Sequence, residues 1–265
     1  MRWGARMGET TASDMMVGAL TDPFDDCHMG VTAENVAGKW GISREDQDAL
    51  AVQSHQRAAK ATAEGWFKEQ ILPIELKSRK GTTVFDTDEH IRADANMEGM
   101  AKLKPVFDKN GSVTAGNAAG INDAAAAVVL CDADYAERKG LEPLGRLVAY
   151  AHARVEPKYM GIGPVPAVRL CLEKANLKVE DIDVFEVNEA FAAQALAVVR
   201  DLSLPEDRTN PNGSGVSLGH PIGATGAILT VKALYELKRT GGRRALVTMC
   251  IGGGQGIAAI FERAA

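Results

Sequence analysis

Short apolar runs alternate with amphipathic segments over the second half of the chain, from about residue 122 onward. Compact apolar runs between turn residues are typical of buried strands, and apolar residues recurring every three or four positions are typical of helices. The pattern predicts strands at 124–131, 145–151, 183–188, 245–250 and 256–261. It predicts helices at 132–140, 165–176, 189–203 and 222–239. Strands that alternate with helices indicate an α/β layered fold with a largely parallel sheet and a final hairpin.

The first 121 residues have a different pattern, because charged and polar stretches separate their few apolar segments. One helix is indicated within 43–66, where Ser43 is suited to the N-cap and acidic residues occupy the first turn. Residues 1–121 are therefore expected to form an irregular, surface-lying region with helices and few strands.

The composition narrows the function classes. Apolar residues make up 46% and charged residues 25% of the 265 positions, which is typical of an ordinary globular protein. A net charge of −5 gives no support to nucleic-acid binding through bulk charge. No apolar run is long enough to cross a bilayer, and the first residues lack the apolar core of a signal peptide. Four cysteines without disulfide-type spacing suggest free thiols, so a cytoplasmic location is expected.

The first candidate site is "EVNEAFAAQ" (186–194), at a predicted strand-to-helix junction. Functional sites of α/β sheets collect at the carboxyl ends of strands, where Asn188 and Glu189 would lie. The plainer interpretation is that Asn188 is simply the N-cap of the next helix. Spacing alone leaves both interpretations open.

The second candidate site is the glycine-rich loop "NPNGSGVSLGHPIGATGA" (210–227). Pro221 suits the first turn of the helix that follows, which places His220 near the helix N-terminus. The helix dipole there would lower the pKa of His220 and keep its ring neutral. A neutral imidazole can take a proton from a thiol or donate a hydrogen bond to an oxyanion. The alternative is an ordinary buried capping histidine.

The third candidate site is "CIGGGQG" (250–256), between two predicted strands. Glycines after a strand leave backbone N–H groups unshielded, as an oxyanion hole requires. Cys250 could therefore be a reactive thiol, or an inert residue beside a tight hairpin. A fourth stretch of small residues, 113–130, could line a narrow ligand channel, although close packing of chain against chain is favoured there.

The remaining histidines and cysteines carry weaker signals. His55 is expected to be solvated on a charged helix, and His90 and His152 to be structural. His28 remains open. The other three cysteines lack a neighbouring base and are expected to be inert: Cys27, Cys131 and Cys171. Cys131 is expected to lie inside a buried strand. No Cys/His pair has ligand spacing, so no metal site is expected.

Three motifs, in this order and at these distances, resemble the thiolase family: "NEAFAAQ" (188–194), the loop at 210–227 and "CIGGGQGIAAIFER" (250–263). Further thiolase-like segments are "HMGVTAENVA" (28–37), "VTAGNAAGIND" (113–123) and "GIGPVPA" (161–167). The chain is most similar to bacterial biosynthetic thiolases and to the β-ketothiolases that supply polyhydroxyalkanoate precursors. The resemblance covers essentially the whole sequence.

The resemblance implies an acyl-CoA C-acyltransferase that joins acyl-CoA and acetyl-CoA into 3-ketoacyl-CoA and CoA, or runs the cleavage, by a ping-pong Claisen mechanism. His220 would activate the nucleophile and hold a thioester oxygen, and Asn188 would position a water in the same oxyanion hole. Cys250 would move the α-proton of acetyl-CoA, and the amide of Gly252 would help form a second oxyanion hole. For Cys250 to act as a base, a neighbouring imidazole and glycine amides are expected to lower its pKa. No cofactor is implied, since CoA thioesters are the substrates.

The resemblance also implies a CoA site. Residues 1–121 would be the loop domain that covers CoA, with Arg92 at its nucleotide end. Ala115 and Gly116 would line the pantetheine channel, where Ala119 replaces the usual serine and removes one hydrogen bond. Two residues are expected to approach the acyl pocket: His28 and Met29.

One family feature is missing from the sequence. Thiolases carry their nucleophile in a "CGSG"-like motif on the first of two core halves, and no such motif occurs here. Residues 122–142 would be the last strand and helix of an incomplete first half, and 143–265 the whole second half. The expectation is a piece of a longer thiolase that is inactive by itself.

Two alternatives from other classes remain. One is a non-catalytic thiolase-like protein that binds CoA or lipid, and the other is a relative of the ketoacyl synthases. The three intact motifs argue against the first, and the "CIGGG" turn argues against the second. By analogy with the family, a homotetramer built as a dimer of dimers is expected.

Overall fold

The computed structural model describes residues 7–264. The helices are α1 (Met15–Ala19), α2 (Met29–Trp40), α3 (Arg44–Ala63), α4 (Met97–Ala101), α5 (Ala133–Lys139), α6 (Pro164–Ala175), α7 (Ala192–Leu202), α8 (Gly215–Leu218) and α9 (Thr225–Thr240). The strands are β1 (Thr21–Asp22), β2 (Cys27–His28), β3 (Ile74–Ser78), β4 (Gly81–Phe85), β5 (Gly145–Arg154), β6 (Val184–Val187), β7 (Arg244–Ile251) and β8 (Gln255–Arg263). Within the described residues, no helix is both long enough and apolar enough to span a membrane.

The second half of the chain is built on a four-stranded sheet with the order β5-β8-β7-β6. The predicted final hairpin is confirmed as β7 and β8. The prediction of a largely parallel sheet is wrong, because β8 pairs antiparallel with both β7 and β5 and the parallel pairing joins β6 to β7. A tight hairpin joins strands that run in opposite directions, so β7 and β8 are antiparallel, and β5 runs antiparallel to β8 on the other side of the hairpin.

Helices cover the two faces of this sheet. Phe185 and Leu246 pack with α6 and α7 in one apolar cluster, whereas their neighbours Val184 and Ala245 pack with α9 in another. Successive side chains of a strand point to opposite faces, so the sheet lies between two helical layers. The α/β layered fold class is confirmed.

The first part of the chain holds short hairpins and two longer helices that pack on the sheet domain. The helix predicted within 43–66 is confirmed as α3, and the Ser43 hydroxyl accepts the Asp46 N–H at its start. Helix α2 packs against α7, and α3 packs against α7 and α8. The first part of the chain is therefore held, through α2 and α3, against helices of the second half.

The predicted strand at 124–131 does not form. This stretch has no strand partner among residues 7–264, and its apolar side chains are open to solvent, with Val129 97% and Leu130 87% exposed. Backbone N–H and C=O groups need a neighbouring strand before a ladder can form, and apolar sequence alone does not supply one. Cys131 is accordingly exposed, not buried as expected. The helix predicted after this stretch is present as α5.

Candidate active site

Two parallel strands bring the first and third motifs together. Strand β6 ends at Val187 and is followed by Asn188, whose backbone N–H donates to Thr248 O of β7 at 3.0 Å. Cys250 lies two residues further along β7, at the same edge of the sheet. Helix α7 begins at Ala192 with Phe191 as its N-cap residue, so Asn188 is not a helix cap.

The α8–α9 connection brings His220 to Asn188. The amide Nδ2 of Asn188 lies 3.4 Å from both ring nitrogens of His220, and Asn188 is fully buried. The Oδ1 atom of Asn188 has no hydrogen-bond partner among the described residues. A buried amide oxygen without a partner is costly, so this position is suited to a bound water or substrate group.

His220 is neutral, but for a different reason from the expected one. Helix α9 begins at Thr225, so His220 precedes the helix by five residues and is not at its N-terminus. Burial lowers the pKa of His220 to about 4, because the charged ring would lose its hydration. The ring is therefore neutral at pH 7, with a proton on one nitrogen and a lone pair on the other.

Cys250 lies in an apolar pocket at the end of β7. Its side chain packs with Met29, Met160 and Phe191. Burial raises its pKa to about 12, so the lowered pKa expected from the sequence is not found. Apolar surroundings disfavour a thiolate, and in this arrangement the sulfur keeps its proton.

The glycine turn after Cys250 is held by a residue that the sequence did not single out. Buried Asp22 accepts the Gly253 N–H at 3.2 Å with one carboxylate oxygen, and the N–H groups of Phe24 and Asp25 with the other. Within residues 7–264, the N–H of Gly252 has no hydrogen-bond acceptor. A Cβ atom at Gly252 would lie 2.5 Å from Met29 Cε, so a side chain there would require the end of the Met29 side chain to move.

Several residues expected at the CoA site line one cavity of about 390 Å³. Arg92, Ala115 and Gly116 are all on its wall, together with Ala118. Ala119 lies just beyond, with its backbone N–H donated to Ala190 O at 3.0 Å. The structure therefore brings Arg92 and the small-residue stretch together in one cavity wall.

Of the two residues expected near the acyl pocket, Met29 packs with Cys250, and His28 contacts Phe107, which packs against the same cluster. Met29 belongs to the same apolar cluster as the Cys250 side chain. His28 caps α2 by accepting the Gly30 N–H on Nδ1 at 3.0 Å, and it stacks on Phe107 with 4.7 Å between ring centroids. Burial lowers the pKa of His28.

His55 is buried, not solvated as expected. Only 3% of its surface is exposed, and its Nδ1 accepts the backbone N–H of Arg92 at 3.1 Å. Burial, and then the charges of His90 and Arg92, lower its pKa to about 4. The sequence contained a usable signal, since Ala51, His55 and Ala58 recur at helical spacing on one face.

The described part of the chain offers no group of three or more His, Cys, Asp or Glu side chains placed to hold a metal ion.

Comparison with known proteins agrees with the three motifs. The family model for the thiolase N-terminal domain matches residues 1–134, and the model for the thiolase C-terminal domain matches residues 141–263. The chain belongs to the thiolase family. It is 65% identical over 263 residues to Beta-ketothiolase BktB of Cupriavidus necator, covering 99% of this chain and 67% of that protein. It is 50% identical to an acetyl-CoA acetyltransferase of Syntrophomonas wolfei, covering 98% of this chain and 67% of that one.

Solved thiolase structures have the same fold. The acetyl-CoA acetyltransferase of Bacillus anthracis superimposes with a TM-score of 0.95 at 50% identity, covering 99% of this chain and 67% of that one. Human mitochondrial 3-ketoacyl-CoA thiolase in complex with CoA superimposes with a TM-score of 0.90 at 42% identity, covering 99% of this chain and 66% of that one. The chain thus spans about two thirds of the length of these thiolases.

Next to Asn188, Glu189 connects α3 to the loop at 210–227. Its buried carboxylate accepts hydrogen bonds from Ser54 Oγ at 2.6 Å, Asn210 Nδ2 at 3.0 Å and Val216 N at 3.3 Å. The sequence predicts Glu189 at a strand end but no role for it. Its partners come from two distant segments, α3 and the loop at 210–227, so the local sequence held no signal for them.

Proposed function

We propose that this chain performs the carbon–carbon chemistry of a thiolase: it forms and stabilises the enolate of acetyl-CoA during condensation with an acyl-CoA or during the reverse cleavage. The observation that carries the proposal is that buried Asn188, which contacts neutral His220, and Cys250 lie at the carboxyl ends of the neighbouring parallel strands β6 and β7. The negative charge of an enolate develops on the thioester oxygen, and preorganised donors there lower the barrier.

Each residue has a proposed role. Asn188 and His220 form the site for the thioester oxygen of acetyl-CoA, directly or through a water held by Asn188. Cys250 exchanges a proton with the α-carbon. Because its thiol is protonated, Cys250 is ready to protonate the carbanion that cleavage releases. Condensation instead begins when the Cys250 thiolate removes the α-proton, and forming that thiolate in an apolar pocket costs free energy. The N–H of Gly252 is free to serve as an oxyanion donor.

The proposed substrates are CoA thioesters. The cavity beside the site combines the Arg92 guanidinium, which suits an anionic nucleotide, with a wall of Ala115, Gly116 and Ala118, which suits a thin pantetheine arm. Relatives named acetyl-CoA acetyltransferase and beta-ketothiolase support this class. His28 and Met29 would border the acyl group.

Complete acyl transfer needs a second cysteine as nucleophile. Of the four cysteines in the sequence, Cys250 is assigned to proton transfer, and none lies in a "CGSG"-like motif. We therefore propose that the 265-residue chain enolises acetyl-CoA but does not by itself cleave 3-ketoacyl-CoA.

Deuterium exchange tests the proposal without the missing nucleophile. Acetyl-CoA is incubated with the chain in D₂O, and deuterium in its acetyl methyl group is followed by mass spectrometry. The wild type is expected to exchange, Cys250→Ala to lose exchange, and His220→Ala to slow it by about 100-fold or more. Cys131→Ala, an exposed cysteine outside the site, is the matched control and should behave as wild type.

Two results would overturn parts of the proposal. A folded wild-type chain that binds CoA without exchanging deuterium would favour the alternative, a non-catalytic CoA-binding protein, which the missing nucleophile motif supports. Measurable cleavage of acetoacetyl-CoA by the chain alone would show that a nucleophile has been overlooked. The cytoplasmic location and the homotetramer remain predictions. Light scattering of the purified chain would test the homotetramer.

A further inference from the structure

A buried hydroxyl lies against the ring of His220. Thr225, the first residue of α9, is 2% exposed, and its Oγ1 lies 2.7 Å from His220 Nδ1. The same Oγ1 lies 3.0 Å from the carbonyl oxygen of Pro221. Thr225 thus bridges a ring nitrogen and a backbone acceptor.

The number of protons decides how this bridge is arranged. A threonine hydroxyl has one proton, and a carbonyl oxygen has none to give. If the hydroxyl donated to His220 Nδ1, its oxygen would face Pro221 O at 3.0 Å with no proton between two negative atoms. If the hydroxyl donates to Pro221 O, its oxygen accepts a hydrogen bond from a proton on Nδ1, and all three atoms have a hydrogen-bond partner.

The other neighbour of the ring does not select a tautomer. Asn188 Nδ2 is equally far, at 3.4 Å, from the two nitrogens of His220. Both distances exceed the usual range of an N–H donor bond, and one amide group cannot point at two nitrogens on either side of a ring carbon. The short contact to Thr225 is therefore the one that orients the ring proton.

We infer that Thr225 is a positioning residue that fixes His220 as the Nδ1–H tautomer and leaves the lone pair on Nε2. The tautomer follows from the hydrogen bonds alone, whereas its effect on catalysis rests on the proposed function. A neutral Nε2 accepts the proton of a substrate thiol, such as that of CoA: the S–H bond breaks, an N–H bond forms, and a thiolate and an imidazolium result. His220 then holds the proton that Nε2 donates to an oxyanion, so it acts first as a base and second as a donor.

The tautomer can be measured directly. A long-range ¹H–¹⁵N correlation spectrum of the ¹⁵N-labelled chain at pH 7 distinguishes protonated from unprotonated ring nitrogens, and His220→Asn identifies the His220 signals. A protonated Nδ1 and an unprotonated Nε2 are expected in the wild type. A protonated Nε2 would overturn the inference, whatever the activity of the chain.

Two substitutions test the role of the hydroxyl. Thr225→Val keeps the shape of the side chain but removes the acceptor, so His220 is expected to shift towards the Nε2–H tautomer. Thr225→Ser keeps the hydroxyl and should retain the wild-type tautomer. An unchanged tautomer in Thr225→Val would overturn the inference; Thr225→Ala replaces that variant if it does not fold.

The functional consequence has its own readout. Thr225→Val is expected to slow the deuterium exchange of acetyl-CoA by about tenfold or more, and Thr225→Ser by about twofold or less. If the wild type exchanges no deuterium, the proposed function fails while the spectrum still decides the tautomer. If the exchange rate is the same in Thr225→Val as in the wild type, the orienting role is overturned.

Discussion

Ser54 on α3 donates a hydrogen bond of 2.6 Å to the carboxylate of Glu189, although 135 positions separate the two residues in sequence. Both side chains are buried, and burial raises the pKa of Glu189. This contact joins α3, in the first part of the chain, to the residue that follows Asn188. The geometry of the candidate active site therefore depends on a helix from the first part of the chain.

The Ser54–Glu189 contact should appear as a coupling energy. We expect Ser54→Ala and Glu189→Gln each to lower the free energy of unfolding by about 1–3 kcal/mol, because each leaves a buried polar group without its partner. The double variant should lose less stability than the sum of the two single losses, by about 1 kcal/mol or more. Urea denaturation of the four proteins checks this. Strict additivity would show that the two side chains do not interact.

His55 should make stability depend on pH. Its pKa falls from an ordinary 6.5 to about 4 in the folded chain, so between these values the unfolded state binds more protons. Stability is therefore full above about pH 7 and is lost as the pH falls towards 4. At pH 5 this amounts to about 2 kcal/mol relative to pH 7.

The His55 prediction is checked by urea denaturation at pH 7 and pH 5. His55→Gln keeps an acceptor for the Arg92 N–H, and it should lose less stability between the two pH values than the wild type does. His152→Gln, an exposed histidine on β5, should retain the wild-type difference. An unchanged difference in His55→Gln would contradict the assignment.

Gly256 at the start of β8 should tolerate no side chain. A Cβ atom there would overlap the backbone of Gly163, immediately before α6, and backbone cannot move aside as a flexible side chain can. Gly256→Ala is expected to lower the free energy of unfolding by about 3 kcal/mol or more. Gly38 on α2 has open space around it, so Gly38→Ala should stabilise by about 0.5–1 kcal/mol. Thermal denaturation compares the two, and a harmless Gly256→Ala would refute the close approach.

Ala119 should limit the affinity for CoA. Restoring the hydroxyl that thiolases usually carry, by Ala119→Ser, is expected to gain about 1 kcal/mol and tighten CoA binding a few-fold to about tenfold. Isothermal titration calorimetry measures the change. Ala125→Ser adds a hydroxyl on the exposed stretch and should leave binding unchanged. If Ala119→Ser does not bind CoA more tightly, no hydrogen-bond partner is within reach.

The sequence by itself determined α3, α5, α6, α7 and α9, the final hairpin and the three motifs, whereas α2 was not predicted. Ser43 starts α3, and Gly253 and Gly254 adopt the positive φ angles that the turn after Cys250 requires. These features depend on periodicity and on residues within a few positions of each other, which is why they can be predicted locally.

The tertiary structure decided the features that depend on contacts between segments far apart in sequence. The antiparallel order of the sheet, the burial of His55 and the raised pKa of Cys250 all depend on neighbours far away in sequence. The apolar stretch at 124–131 makes the same point, because it has the composition of a strand but no partner within the described residues. Hydrogen-bond pairing and desolvation are properties of the surroundings, and a single stretch of sequence does not specify them.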